Sequence, residues 1–131
     1  EYDIPVKVAQ IAKSNSVNSF IYVSSMGANP NSSGSYLKNK GQVEEELKNL
    51  DFPNLAVIRP SILLGNRKTF RLGERIGILV MKALSIFFLG SLKKYKPIQV
   101  KYVAKAMVHI AEKNFEKKIF LSDHLEELGK I

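Results

Sequence analysis

Apolar residues at Ile4, Val8, Ile11 and Ala12 recur at helical spacing, so residues 3 to 14 are predicted to form an amphipathic helix. "NSV" then turns the chain, and Phe20 to Val23 is a short apolar run of the kind expected of a parallel strand buried on both faces. Residues 26 to 34 are a loop of turn formers. Ser35 opens a second helix that runs to about Leu50, with Leu37, Val43, Leu47 and Leu50 expected inward and Glu44, Glu45 and Glu46 solvated. Leu55 to Ile58 is a second buried strand, stopped by Pro60. Beyond it the pattern predicts a glycine-bearing loop, "SILLGNRKTFRLGER", and a helix over 73 to 90. A short extended link, "YKPIQV", leads to a helix from Val100 to Lys113. A last strand at Lys118 to Leu121 and a terminal helix capped by Ser122 complete the chain.

Alternation of helix and strand implies right-handed crossovers and a parallel sheet with helices on both sides, an α/β fold. In such sheets ligands sit beyond the carboxyl ends of the strands. Ser24-Ser25 and Arg59-Pro60-Ser61 occupy two such ends and are expected to line one crevice.

Composition narrows the chemistry. The 131 residues, 45% hydrophobic, suit one domain or part of a larger one. There is no cysteine, which excludes disulfides and thiolate catalysis. His109 and His124 are too few and too far apart in sequence for a metal cluster, so no metal is expected, and His109 reads as a half-exposed helix residue. The formal charge of +8 is spread over Lys7, Lys13, Lys48, Lys101, Lys105 and Lys113, without an arginine-rich tract, which argues against nucleic acid and suits an anionic cofactor. Residues 76 to 92 approach transmembrane length, but Lys82, Gly77, Ser85 and Gly90 interrupt them; a buried helix is expected, not a membrane contact. No secretory leader is visible and a cytoplasmic location is expected.

The chemistry concentrates in "YVSSMGANPNSSGSYLKNKGQVEEEL", residues 22 to 47. Tyr36 and Lys40 are four apart and share a helix face. A phenol is a weak proton donor or acceptor near neutral pH, and a neighbouring ammonium favours phenolate. A serine at the adjoining strand end could bind the same substrate oxygen. These groups could protonate a carbonyl while hydride arrives from a nicotinamide cofactor. Lysine is common in this chain, so the pair alone reads equally as a solvated helix pair; its context gives it weight. Ser24 could instead cap the strand end, and Arg59 could pack its stem beside Pro60 and bind backbone carbonyls. Met26 fits either the loop over the crevice or plain surface. Tyr22 reads as core, and Tyr95 and Tyr102 as structural.

In combination, "YVSSMGANPNSSGSYLKNKGQVEEEL", "VIRPSILLGNRKTFRLGER" and "YKPIQVKYVAKAM" resemble the C-terminal half of an atypical short-chain dehydrogenase/reductase of the Tat-interacting-protein-like branch. The likeness spans nearly the whole chain and is strongest over residues 20 to 75. It implies the C-terminal half of a Rossmann-like doubly wound parallel sheet lacking its N-terminal glycine-rich strands, with residues 1–131 part of a single NAD(P)-binding domain. It further implies Tyr36 as catalytic acid/base and Lys40 as ligand of the nicotinamide ribose and tuner of Tyr36. Ser24 would be the preceding serine, with Ser25 as fallback. Pro60, Ser61 and Leu63 would pass beside the nicotinamide, and Arg71 would lie near the cofactor, with Arg67 and Arg75 as runners-up.

No G-x-G-x-x-G or looser relative occurs in the chain, so the first strands of such a domain are expected to lie elsewhere and the chain to be a fragment. The expected function is NAD(P)-dependent oxidation or reduction of a small carbonyl or alcohol substrate, with NADP leaned towards over NAD. A non-catalytic NAD(P)H-binding regulator or scaffold and a nucleotide-sugar epimerase-like enzyme are the alternatives. The expected partners are the remaining half of the fold or, at an exposed apolar sheet edge, a second copy in a homodimer. Without the pyrophosphate cradle the chain alone is not expected to bind dinucleotide tightly.

Overall fold

The computed structural model describes residues 2–65 and 90–131. The helix expected over 73 to 90, and with it Arg67, Arg71 and Arg75, lies outside the described residues. No described helix is long and apolar enough to cross a membrane. The described residues are α/β, with a small parallel sheet and four α-helices. It divides into two compact units: Glu1–Arg59 with Ile110–Phe120, and Pro60–His109 with Leu121–Ile131.

The first unit is built on α1 (Asp3–Ser14), β1 (Ser19–Val23), α2 (Ser35–Asn49) and β2 (Asn54–Arg59). Strands β1 and β2 run parallel, with Phe20 opposite Leu55, Tyr22 opposite Val57 and Val23 opposite Ile58. The strand β5 (Ile119–Leu121) lies on the other side of β2, giving the order β1-β2-β5. One sheet face presents Tyr22, Leu55 and Val57 to Val6 and Ala9 of α1 and Val43 and Leu47 of α2, so both helices cover the same face. The Phe20 and Phe52 rings stack there at 4.9 Å.

The apolar stripe expected to bury α1 is the exposed one. Ile4, Val8 and Ile11 are 72%, 52% and 62% exposed, while Val6 and Ala9 are buried. Apolar residues occur on more than one side of this helix, so spacing could not choose between faces; the small Ala9 side chain permits the closer approach to the sheet.

Glycine fixes the loop that links β1 to α2. A Cβ at Gly41 would fall 2.3 Å from the backbone of Asn29 and Pro30. The polar loop therefore folds back onto α2, where the Asn29 N–H donates to the Leu37 carbonyl at 3.1 Å.

The second unit holds β3 (Leu63–Leu64), a 3-10 helix at Gly90–Tyr95 and β4 (Ile98–Gln99). The helix α3 (Val100–Glu112) starts in this unit, and α4 (Ser122–Lys130) closes it. β3 and β4 pair in parallel, Leu63 with Ile98 and Leu64 with Gln99, where a loop and a short extended link were expected. Two-residue strands are too short to register as periodicity. Ser122 is not a side-chain cap of α4. Its oxygen accepts the Ser61 N–H at 2.8 Å, and its hydroxyl lies 3.0 Å from the Ser61 Oγ as donor.

Candidate ligand site at the end of β1

The carboxyl end of β1 and the first two turns of α2 bring the expected residues together. Tyr36 is on the first turn of α2 and is 50% exposed. One turn later, the Lys40 ammonium donates to the Val23 carbonyl at 3.2 Å and lies 5.0 Å from the centre of the Tyr22 ring and 5.8 Å from that of Tyr36. The ammonium thus sits between two aromatic faces, an attractive arrangement for a cation. It has three N–H donors, so one bond to Val23 leaves donor capacity for a ligand.

Ser24 follows directly in sequence, but its chemistry turns inward. It is 4% exposed, its N–H donates to the Ile58 carbonyl at 2.7 Å, and its hydroxyl donates to Glu44 Oε1 at 2.5 Å. Glu44, expected in solvent, is 2% exposed. Its carboxylate receives the Arg59 guanidinium in a two-point contact, Nε to Oε1 at 3.0 Å and Nη2 to Oε2 at 2.5 Å. Desolvating a carboxylate is costly unless it is paired, and here three donor groups meet it. The hydrogen bond to Glu44 raises the Arg59 pKa against the opposing effect of burial. Arg59 therefore binds a carboxylate, where contact with backbone carbonyls was the expectation.

This Ser24–Glu44–Arg59 cluster ties β1, α2 and β2 together beneath the Lys40 site, and sequence reasoning missed its central member. Within the run Glu44-Glu45-Glu46 all three read as surface. The available signal was position: Glu44 lies one residue from Val43 and three from Leu47, both fully buried, and so falls on the edge of the inward face.

In the second unit, Pro60 is buried and Leu63 is 43% exposed. Both hydrogen-bonding groups of Ser61 are engaged: the N–H with Ser122, and the hydroxyl as donor to the Lys96 carbonyl at 2.6 Å. Ser61 thereby staples the segment after β2 to α4 and to the stretch before β4. Ser25 donates locally, to the Met26 carbonyl at 3.3 Å.

No family model matches the chain. Its similarity is to the mitochondrial FMP52 proteins. The Scheffersomyces stipitis protein FMP52-1, mitochondrial, is 38% identical over 140 residues, covering 99% of this chain and 60% of that protein. FMP52 of Debaryomyces hansenii is 35% identical over 85% of this chain and 49% of its own length, and that of Candida glabrata 34% over 89% and 51%. The chain thus spans 49% to 60% of the length of these relatives.

These relatives correct four expectations. They bear the FMP52 name, and nothing in them points to short-chain dehydrogenases, so the assignment to that family is overturned. The expected hydride transfer to or from a carbonyl or alcohol falls with it. So does the description of the chain as an oxidoreductase. The cytoplasmic location conflicts with relatives named as mitochondrial. The physical reason for the misassignment lies in the motif itself. A Tyr and a Lys one turn apart beside a strand end is compatible with binding as much as with proton transfer, and the serine that would complete a proton-transfer set has its hydroxyl bound to Glu44.

Proposed function

We propose that the chain is the nucleotide-facing part of an FMP52-type mitochondrial protein, and that Lys40 and Tyr36 hold the ribose or phosphate groups of NADP or NAD without chemistry on the nicotinamide. The observation that carries this reading is the Lys40 ammonium fixed by the Val23 carbonyl at the carboxyl end of β1. That is where parallel α/β sheets bind ligands, and within a complete Rossmann-like sheet the same position would face a dinucleotide. The fit is chemical. Lys40 retains donors for hydroxyl or phosphate oxygens, half-exposed Tyr36 offers an aromatic face and a hydroxyl, and the net charge of +8 favours an anion. The residues described here would bind and orient the dinucleotide. Ser24 supports the floor of the site through Glu44 and does not act on the ligand.

Saturation-transfer NMR with NADPH, NADH and adenosine monophosphate tests the proposal, because it reads weak binding. Transfer to ribose protons that disappears in Lys40→Met, with the helical circular dichroism unchanged, is the expected result. Absence of transfer, or transfer indifferent to Lys40→Met, refutes it.

A further inference from the structure

Two opposite charges of α2 stand one turn apart and are held by neighbouring residues. The Lys40 ammonium donates to the Val23 carbonyl at 3.2 Å, and the Glu44 carboxylate accepts the hydroxyl of Ser24, the next residue. Side chains four apart on a helix share a face, and a lysine and a glutamate so placed are within reach of each other. These two do not pair. Among the described residues Glu44 forms its ion pair with Arg59, and Lys40 forms none.

Arg59 accounts for that choice. From β2 it sets Nε on Oε1 and Nη2 on Oε2 of Glu44, so both carboxylate oxygens are occupied. Without the guanidinium, a carboxylate that is 2% exposed would stand desolvated and without a cation. Lys40 carries a cation on a flexible four-carbon stem one turn away. What keeps it at the end of β1 is one bond to a neutral carbonyl and the Tyr22 and Tyr36 rings at 5.0 and 5.8 Å. A bare carboxylate would offer the ammonium a full opposite charge, which neither the carbonyl nor the rings can match.

We propose that Arg59 is a positioning residue of the Lys40 site: by neutralising Glu44 from β2, it leaves the Lys40 ammonium on the Val23 carbonyl, committed to no carboxylate and open to an anionic ligand. Arg59 touches no ligand in this arrangement and acts through Glu44 and Lys40. The buried cluster thus sets the charge offered at the end of β1, besides tying β1, α2 and β2 together. The inference rests on the reading of Lys40 as the ligand-binding cation.

NMR of the chain tests position and binding separately. Position is read without nucleotide, from the Overhauser contact between the Lys40 Hε protons and the Tyr22 ring. Binding is read from a titration with NADPH. In Arg59→Met the contact is expected to vanish and NADPH to bind about tenfold more weakly or worse. Arg59→Lys keeps a cation on Glu44 and loses the two-point fork, so contact and binding should both persist while urea unfolding shows reduced stability. Both should also persist in Arg59→Met with Glu44→Leu, where no carboxylate draws Lys40 away. The double variant decides the matter even where Arg59→Met alone does not fold. A Lys40–Tyr22 contact that survives in Arg59→Met overturns the proposal, as does NADPH binding that is lost in Arg59→Lys or in the double variant. A wild-type chain that binds no NADPH would refute the nucleotide reading by itself, and the Lys40–Tyr22 contact would still decide whether Arg59 positions Lys40.

Discussion

Arg59 grips Glu44 through two nitrogens at the end of β2, and the same carboxylate accepts the Ser24 hydroxyl at the end of β1. A carboxylate this deeply buried cannot lose its cation cheaply. Removing one partner of a buried pair leaves the other charged and desolvated. Arg59→Met is therefore expected to destabilise the first unit by about 3 kcal/mol. The double variant Arg59→Met with Glu44→Leu should recover much of that loss, because an apolar pair of similar volume avoids desolvation altogether. Urea unfolding of the single and double variants measures both.

Ser24→Ala separates a supporting serine from one that touches ligand. It removes one hydrogen bond to a charged acceptor that keeps its Arg59 contacts, a loss of about 1.5 kcal/mol. Chemical denaturation should show that loss, while NADPH saturation transfer stays at the wild-type level. A loss of transfer with stability unchanged would assign Ser24 to the ligand instead.

Much of the fold was legible in the residues. The helix at 3 to 14 and the two strands of the first unit agree with the structure to within a residue, because each carries a run long enough for its period to show. β3 was not legible, since two residues carry no period, whereas β4 falls in the stretch read as extended just before the helix from Val100. The buried face of α1 was not legible either, because Ile4 and Val8 are as apolar as Val6 and Ala9, and only packing separates them. At the candidate site, the nearness of Tyr36 and Lys40 followed from helix geometry. The inward turn of Ser24 depended on Glu44 of α2, whose burial is a tertiary fact set by the Arg59 guanidinium, 15 residues away in sequence on β2. The family likeness drawn from the same motif went astray because shared spacing does not fix shared chemistry.

Gly41→Ala would ordinarily stabilise a helix by about 1 kcal/mol. Here the added methyl meets the backbone of Asn29 and Pro30, which can move only by lifting the loop from α2. Overpacking of this kind costs about 1–3 kcal/mol, so the net change should be neutral to destabilising. Limited proteolysis should show faster cleavage within residues 26 to 34, and an unchanged cleavage rate would contradict the close approach.

Ser122→Ala removes the acceptor of the Ser61 N–H and one neighbour of its hydroxyl. Hydrogen exchange at the Ser61 amide should speed up, with a stability loss of about 1 kcal/mol. Glycine at this position should behave no better, since the oxygen and not the space is what matters.

The most direct measurement of the Lys40 site is a ¹⁵N–¹H correlation titration of the chain with NADPH. Shifts are expected at Val23, Tyr36, Lys40 and Gly41, following one binding curve, and are expected to vanish in Lys40→Met. Shifts confined to α4, or none at concentrations that saturate weak sites, would contradict nucleotide binding at the end of β1.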